Sequence, residues 1–211
     1  MTKINTVLFD FDGTIMDTND LILESWQNTF KVFTGSEVPK EKILATLGEP
    51  LEFTMGKFFP EIPLQEALDT YRSWHHDNFL DLIQLFPGML ELLEELRSRG
   101  YKMGLVTSRL KYTTMLGVDK FDLGKFFDYI LTADDTDKHK PDPAPILITL
   151  DKLGSRPEES IMIGDTVMDL GCARNAGVKS VLVDWTVAVP EEHKSQADHI
   201  IKKPAELLDI L

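Results

Sequence analysis

The sequence predicts an α/β fold in which helices cover both faces of a parallel β-sheet and a helical segment is inserted after the first strand. A short apolar run at residues 7–9 has the composition of a buried strand. From residue 101 onward, strand-like and helix-like segments alternate, as is typical of βαβ units and a parallel sheet. Between residues 16 and 86 we find no strand pattern, which indicates an all-helical insertion.

The first predicted strand ends in two acidic residues. Asp10 and Asp12 come directly after the apolar run. Because positions i and i+2 of an extended chain share a face, both carboxylates can point into the same small volume. Such close carboxylates repel each other unless a cation lies between them or one is protonated. Gly13 then allows a sharp turn, and Thr14 adds a hydroxyl and an amide.

Four helices are predicted in the insertion, because apolar residues recur at helical spacing and Gly or Pro residues separate the segments. The first helix contains the apolar residues between positions 21 and 33 and ends before Gly35. The other three span residues 40–47, 51–58 and 64–83.

After Pro87 and Gly88 the chain returns to the sheet. An amphipathic helix is predicted at residues 89–99 and ends at Gly100. Strands are then expected at 101–107, 129–132, 161–163, 178–183 and 199–201. Helices are expected at 110–118, 143–153 and 166–176, with a terminal helix from residue 204.

Polar residues follow several of these strands. Thr107 and Ser108 come at the end of the second predicted strand, Lys140 precedes a helix, and Asp165 follows the strand at 161–163. Asp169 lies four residues after Asp165, so the two share one face near a helix N-terminus. Because ligand sites of open α/β sheets lie outside the carboxyl ends of the strands, we expect these groups to share one rim with the two acids of the first strand.

This combination of groups suits phosphoryl transfer. Oxygen ligands from Asp10 and Asp165, with Asp169 near or within the coordination shell, fit octahedral Mg²⁺. The ion would screen a phosphate from the carboxylates, so that one aspartate attacks phosphorus while another donates a proton to the leaving oxygen. Thr107 and Lys140 would hold the equatorial oxygens, over which charge spreads in the transition state.

Composition narrows the class of protein further. The formal net charge of −13 disfavours nucleic acid as a partner, because phosphate backbones require a basic face. No apolar stretch approaches the length of a membrane span, and the N-terminus enters the first strand without a signal-peptide pattern. Cys172 is the single cysteine, so neither an internal disulfide nor a thiol-rich metal site is expected. Together these features predict a cytoplasmic protein.

The motifs, in their order along the chain, resemble those of the haloacid dehalogenase superfamily of Mg²⁺-dependent phosphatases. The resemblance covers essentially the whole chain and rests on these residues: Asp10, Asp12, Gly13 and Thr14; Thr107 and Ser108; Lys140 and Pro141; Gly164, Asp165 and Asp169. It implies a Rossmann-like catalytic core formed by residues 1–15 and 87–211. It also implies that residues 16–86 form a helical cap domain.

The resemblance also implies roles for these residues. Asp10 would be the nucleophile that forms an aspartyl-phosphate, and Asp12 the general acid and then the base. Thr107 with its neighbour Ser108, and Lys140, would bind phosphate. Asp10, the main-chain carbonyl of Asp12 and Asp165 would hold Mg²⁺, with Asp169 in support.

Within the superfamily the chain is most similar to the phosphoglycolate phosphatase and pyrophosphatase branch, which implies a small phosphorylated metabolite or pyrophosphate as substrate. The segment around Gly48 and Glu49 resembles the substrate loop of the cap, and Lys140 is followed by Pro-Asp-Pro as in that branch. Many relatives have asparagine and lysine after the motif threonine, whereas this chain has Ser108 and Arg109. Candidate substrate contacts are Gly48, Glu49, His75, His76 and Arg109.

Two alternatives remain at this stage. Phosphosugar mutases of the same superfamily keep both aspartates and similar caps, but they require a sugar bisphosphate activator. A non-catalytic, phosphate-responsive module of the receiver type also carries acids and a lysine on such a rim, but it has no long helical insertion after the first strand. The sequence carries no signal for a particular oligomeric state.

Overall fold

The computed structural model describes residues 3–46, 49, 51–186 and 191–211. The chain forms two compact units. The first comprises Met1–Asp17 and Leu85–Leu211, and the second comprises Thr18–Gln84.

The first unit contains a six-stranded parallel sheet. Its strands are β1 (Thr6–Phe9), β4 (Lys102–Val106), β5 (Tyr129–Leu131), β6 (Ser160–Gly164), β7 (Lys179–Val183) and β8 (His199–Ile201). Their order across the sheet is β5-β4-β1-β6-β7-β8, and every neighbouring pair is parallel. The chain therefore builds outward from β1 in one direction and then crosses back to the other side of β1. The predicted parallel α/β sheet is confirmed.

Helices α7 (Ala144–Leu153) and α8 (Val167–Ala176) pack against this sheet, whose central strands are buried on both faces. The same unit also contains α5 (Met89–Ser98), α6 (Lys111–Lys120) and the short α9 (Glu191–Lys194). All four residues of β1 are buried. Leu8 of β1 belongs to one core cluster with residues of α7 and α8, among them Ile146 and Cys172. This packing fixes the position of the carboxyl end of β1, where the predicted site residues follow.

The second unit is a helical bundle with an aromatic core. Its helices are α1 (Asn19–Thr34), α2 (Lys40–Leu44), α3 (Leu51–Phe58) and α4 (Leu64–Leu82). The ring centroids of Trp26 and Tyr71 lie 5.0 Å apart, and those of Phe30 and Phe59 lie 4.8 Å apart. Aromatic side chains bury large areas, so this unit has a core of its own.

Some sequence predictions are wrong in detail. The expectation that no strand occurs between residues 16 and 86 fails, because β2 (Met16–Asp17) pairs with β3 (Gln84–Leu85) in a two-stranded sheet. Two-residue strands are too short to show any periodicity in a sequence. The helix predicted for residues 40–47 is α2, which ends at Leu44, and the expected terminal α-helix is a 3₁₀ segment, Pro204–Asp209.

None of the helices among the described residues is long and apolar enough to cross a membrane.

Candidate active site

The carboxyl ends of three adjacent strands meet at the centre of the sheet. Because β1 lies between β4 and β6, the residues that follow these strands lie next to one another beyond the carboxyl ends of the strands: Asp10, Thr107 and Asp165. From β1 the chain adds β4 and β5 on one side and then crosses to add β6 on the other side. In open α/β sheets, ligands bind at the point where the strand order reverses in this way. The backbone amide of Asp10 donates to the carbonyl of Ile163 at 2.8 Å, which ties Asp10 to β6.

The turn after Asp10 requires glycine. Gly13 has φ = +76°, a conformation that other residues rarely adopt. Its amide donates to the carbonyl of Met16 at 2.9 Å, which closes the turn. A Cβ atom at this position would lie 2.1 Å from Oδ2 of Asp165. The glycine therefore permits both the turn and the approach of Asp165 to the backbone.

Lys140 joins two of the predicted site carboxylates. Its Nζ donates to Oδ1 of Asp10 and to Oδ1 of Asp169, both at 2.6 Å. The side chains of Lys140, Asp10 and Asp169 are 4, 10 and 2% exposed. Burial lowers the pKa of Lys140, but the charges of Asp10 and Asp169 outweigh it and raise the pKa above its ordinary value. The lysine is therefore a permanent cation between two acids.

Asp169 is held by a residue that the sequence analysis did not single out. Thr166 and Asp169 form a capping box at the start of α8: Oγ1 of Thr166 donates to Oδ2 of Asp169 at 2.6 Å, and the Thr166 amide donates to the same oxygen at 3.1 Å. The sequence does contain a signal for this contact, because Thr-x-x-Asp at the start of a helix is a capping-box pattern. The cap orients Asp169 so that its other oxygen meets Lys140.

Asp165 is the least satisfied acid of the group. It is 5% exposed, and its Oδ1 is buried and accepts no hydrogen bond from any described residue. Burial raises its pKa well above the ordinary value, and the charges of Asp10 and Asp169 raise it further. Burial, against the lowering effect of Lys140, likewise raises the pKa of Asp10 to about 7.

Three buried carboxylates form a group that could hold a metal ion. Oxygens of Asp10, Asp165 and Asp169 all lie within 4.8 Å of one another. An all-oxygen donor set suits hard divalent cations. The unsatisfied Oδ1 of Asp165 and the raised pKa values of Asp10 and Asp165 fit such an ion, because a nearby cation would favour the charged carboxylates.

The two predicted hydroxyl groups differ in their surroundings. Thr107 is 4% exposed, and its Oγ1 accepts a hydrogen bond from the Arg109 amide at 3.1 Å. Ser108 is exposed. Thr14 is fully buried, and its hydroxyl has no hydrogen-bond partner among the described residues. That Thr107 and Ser108 bind phosphate stays a prediction.

Asp12 is paired with Arg109. Nε of Arg109 donates to Oδ2 of Asp12 and Nη2 donates to Oδ1, both at 2.8 Å. This two-pronged geometry is the strongest arrangement for an arginine and a carboxylate. Both residues are candidates from the sequence, but no sequence pattern predicts their contact.

The remaining candidates for substrate contact lie in the helical unit. Glu49 accepts hydrogen bonds from Thr54 at 2.9 Å and from Lys57 at 3.2 Å. Nδ1 of His75 lies 3.1 Å from the Ser25 hydroxyl. His76 is exposed, and its Nδ1 lies 3.4 Å from Asp77.

Gly48 falls outside the described residues. A role in substrate binding for Gly48, Glu49, His75 and His76 stays a prediction.

Comparison with known proteins agrees with this geometry. Residues 7–183 match the family model described as haloacid dehalogenase-like hydrolase. The chain is 37% identical over 212 residues to pyrophosphatase PpaX of Bacillus cereus, an alignment that covers 99% of this chain and 97% of the relative.

Solved structures show the same architecture. A proposed phosphoglycolate phosphatase from Lactobacillus plantarum is 27% identical, has a TM-score of 0.83 and covers the whole of both chains. A proposed β-phosphoglucomutase from Thermotoga maritima has a TM-score of 0.84 over 98% of each chain. At 24% identity, this second structure supports the fold alone.

These findings confirm the resemblance drawn from the motifs and the prediction that the protein is an enzyme of the phosphatase type. The chain belongs to the haloacid dehalogenase-like hydrolase family.

Proposed function

We propose that this protein is a Mg²⁺-dependent phosphatase that hydrolyses a small phosphate ester, such as phosphoglycolate, or pyrophosphate. The reaction would proceed through an aspartyl-phosphate on Asp10. A small phosphorylated molecule is the substrate class that its family and its relatives favour. We retain the cytoplasmic location and the cap role of the helical unit as predictions.

The observation that carries the proposal is the placement of Lys140 between Asp10 and Asp169, beside Asp165. One buried cation fixes a carboxylate at the end of the central strand, and a third acid with an unsatisfied oxygen lies next to it. Side chains buried and locked in this way are pre-organised, as an attacking group and its supports need to be.

The residues present fit a divalent cation. Asp10, the carbonyl of Asp12, Asp165 and Asp169 would hold it. When bound, Mg²⁺ would supply positive charge that lets a carboxylate approach an anionic phosphate. Mg²⁺ is the expected ion because these ligands are carboxylate and carbonyl oxygens.

The chain itself would carry out the bond changes. An oxygen of Asp10 attacks phosphorus and forms a new P–O bond, while the bond from phosphorus to the leaving oxygen breaks. Asp12 gives a proton to the leaving oxygen. In the second half Asp12 takes a proton from water, which attacks phosphorus and releases Asp10 and phosphate. Lys140 and Thr107 hold phosphate oxygens in both halves.

Replacing the nucleophile tests the proposal. Asp10→Asn should lower the rate of phosphate release by about 10³-fold or more, because an amide cannot form the acyl-phosphate. The matched control is Asp122→Asn, whose side chain is 77% exposed and pairs with Lys125. The assay measures phosphate release from pyrophosphate and phosphoglycolate, with MgCl₂ or EDTA, and circular dichroism checks the fold. Full activity of Asp10→Asn, or of the wild type in EDTA, would contradict the proposal.

The same assay separates the alternatives. Steady phosphate release from simple substrates excludes a receiver-like module, which would turn over no substrate. A mutase would instead isomerise a sugar phosphate and would depend on a sugar bisphosphate activator. Isomerisation without net phosphate release would therefore replace the phosphatase proposal by the mutase.

A further inference from the structure

The ion pair between Asp12 and Arg109 connects two residues that are 97 positions apart in the sequence. Two parallel hydrogen bonds, called the fork below, each measure 2.8 Å, and each carboxylate oxygen of Asp12 accepts one of them. The side chains are 31% exposed for Asp12 and 13% for Arg109. A pair this sheltered is screened less than a surface pair.

The backbone holds Arg109 in place independently of its side chain. Its amide donates to Oγ1 of Thr107 at 3.1 Å, and its carbonyl accepts from the Ala133 amide at 3.0 Å. Thr107 itself continues β4 by donating to the carbonyl of Leu131. The guanidinium is therefore presented to Asp12 from a fixed point at the edge of the sheet.

The pairing has a consequence for the leaving group. In the proposed function, on which this inference rests, Asp12 faces the oxygen that leaves with the second product. If that product is phosphate, a negatively charged group must form beside a carboxylate. If it is an uncharged alcohol, no such repulsion arises. Because Arg109 neutralises Asp12, it removes the repulsion in the first case and changes little in the second.

We propose that Arg109 is a specificity-determining residue whose positive charge beside Asp12 adapts the site to phosphoanhydrides such as pyrophosphate, whose leaving group is anionic. The two hydrogen bonds from Arg109 also hold Asp12 in the carboxylate state that follows transfer of its proton to the leaving oxygen, whatever the substrate. Charge and fork therefore have separable effects. Loss of the charge selectively lowers activity on anionic leaving groups, and loss of the fork lowers activity on all substrates alike.

Three substrates of increasing leaving-group charge provide the test: glycerol phosphate, acetyl phosphate and pyrophosphate. In Arg109→Gln, which removes the charge, we expect kcat/KM for pyrophosphate to fall at least about tenfold more than for glycerol phosphate, with acetyl phosphate in between. In Arg109→Lys, which keeps the charge but not the planar fork, the ratio between substrates should stay within about threefold of the wild type.

A variant on the other side of the ion pair should give the opposite order. Asp12→Ala removes the proposed proton donor, so glycerol phosphate, which has the poorest leaving group, should lose the most activity. Pyrophosphate should lose the least, because phosphate leaves with less need of a proton. Arg99→Gln is the matched control, since Arg99 pairs with Glu95 at 2.7 Å and both side chains are about half-exposed. It should leave all three rates unchanged.

If Arg109→Gln is too slow to assay, calorimetric titration with imidodiphosphate and with inorganic phosphate, each with MgCl₂, gives the same comparison. Weaker binding of imidodiphosphate with unchanged binding of phosphate supports the inference. Equal losses on every substrate and ligand, or a wild type that hydrolyses glycerol phosphate but not pyrophosphate, would overturn it while the phosphatase proposal stands. A wild type that hydrolyses neither these three substrates nor phosphoglycolate would overturn both.

Discussion

Lys140 shows how a single buried residue organises its surroundings. It contributes one positive charge between Asp10 and Asp169, and all three side chains are nearly inaccessible to solvent. Removing one partner of such a buried pair typically costs about 3–5 kcal/mol, because a charge is left without compensation. The sequence predicts that Lys140 lies beyond the carboxyl ends of the strands and binds phosphate. The structure adds that Lys140 already binds two acids of the chain itself.

Cys172 of α8 is a buried titratable residue whose side chain is neutral. Its Sγ donates to the carbonyl of Asp142 at 3.0 Å in the core cluster beneath α7 and α8. Burial raises the pKa of the thiol to about 11. The raised pKa means that folding favours the protonated thiol, so this contribution to stability is complete below about pH 9 and is lost as the pH rises through 11.

We therefore expect Cys172 to react slowly with a disulfide reagent such as DTNB. At pH 8 the thiolate fraction should be about 100-fold smaller in the folded protein than in the unfolded chain, and the rate should rise about tenfold per pH unit. Because the chain has one cysteine, absorbance reports this site alone. Labelling in denaturant is the control. A native labelling rate at pH 8 equal to the rate in denaturant would contradict the burial of this thiol.

At the scale of elements, the contact of β4 with its neighbours depends on a glycine. A Cβ atom at Gly104 would lie 2.7 Å from Cγ2 of Thr149 in α7 and 2.8 Å from Cδ2 of Leu8 in β1. The absence of a side chain thus lets α7 approach the sheet at the strand that precedes Thr107. The sequence predicted a strand here, but not that its central glycine is a packing requirement.

Gly104→Ala should lower the free energy of unfolding by about 1–3 kcal/mol through overpacking. Gly56 is the matched control, because it lies within α3 and nothing approaches its Cβ position within 4 Å. Gly56→Ala should be neutral or stabilising by up to about 1 kcal/mol, since alanine is the better helix former. Urea unfolding followed by circular dichroism measures both. Equal effects of the two substitutions would show that the contacts at Gly104 relax without cost.

Across the whole molecule, negative charge is in excess, and part of it is concentrated in the buried site. The formal net charge is −13, and three carboxylates lie together in the interior. Such a group is costly to bury unless a cation compensates it. Lys140 compensates part of the charge, and the unsatisfied oxygen of Asp165 indicates where a further cation would act.

A bound metal should therefore stabilise the entire fold. A ligand at 100 times its Kd adds about 2.7 kcal/mol to the free energy of unfolding. We expect MgCl₂ to raise the unfolding midpoint of the wild type, and Asp165→Asn to lose most of that increase. Asp122→Asn should keep the whole increase, and NaCl at matched ionic strength should produce none. An equal increase in Asp165→Asn would remove Asp165 from the ligand set.

The sequence alone predicts the α/β class, the helical segment after the first strand and the polar residues that follow the strands. These follow from local rules, because hydrophobic periodicity and the positions where apolar runs end are properties of short segments. The two-residue strands β2 and β3 carry no such signal and were missed.

Which charged side chains contact each other is seen only in the folded protein. Strand register brings the ends of β1 and β4 side by side, with Phe9 opposite Leu105, and thereby places Arg109 against Asp12. The bridge from Lys140 to Asp10 and Asp169 likewise joins residues 130 and 29 positions apart. Pairing of this kind depends on side-chain reach across neighbouring elements, which no local pattern encodes.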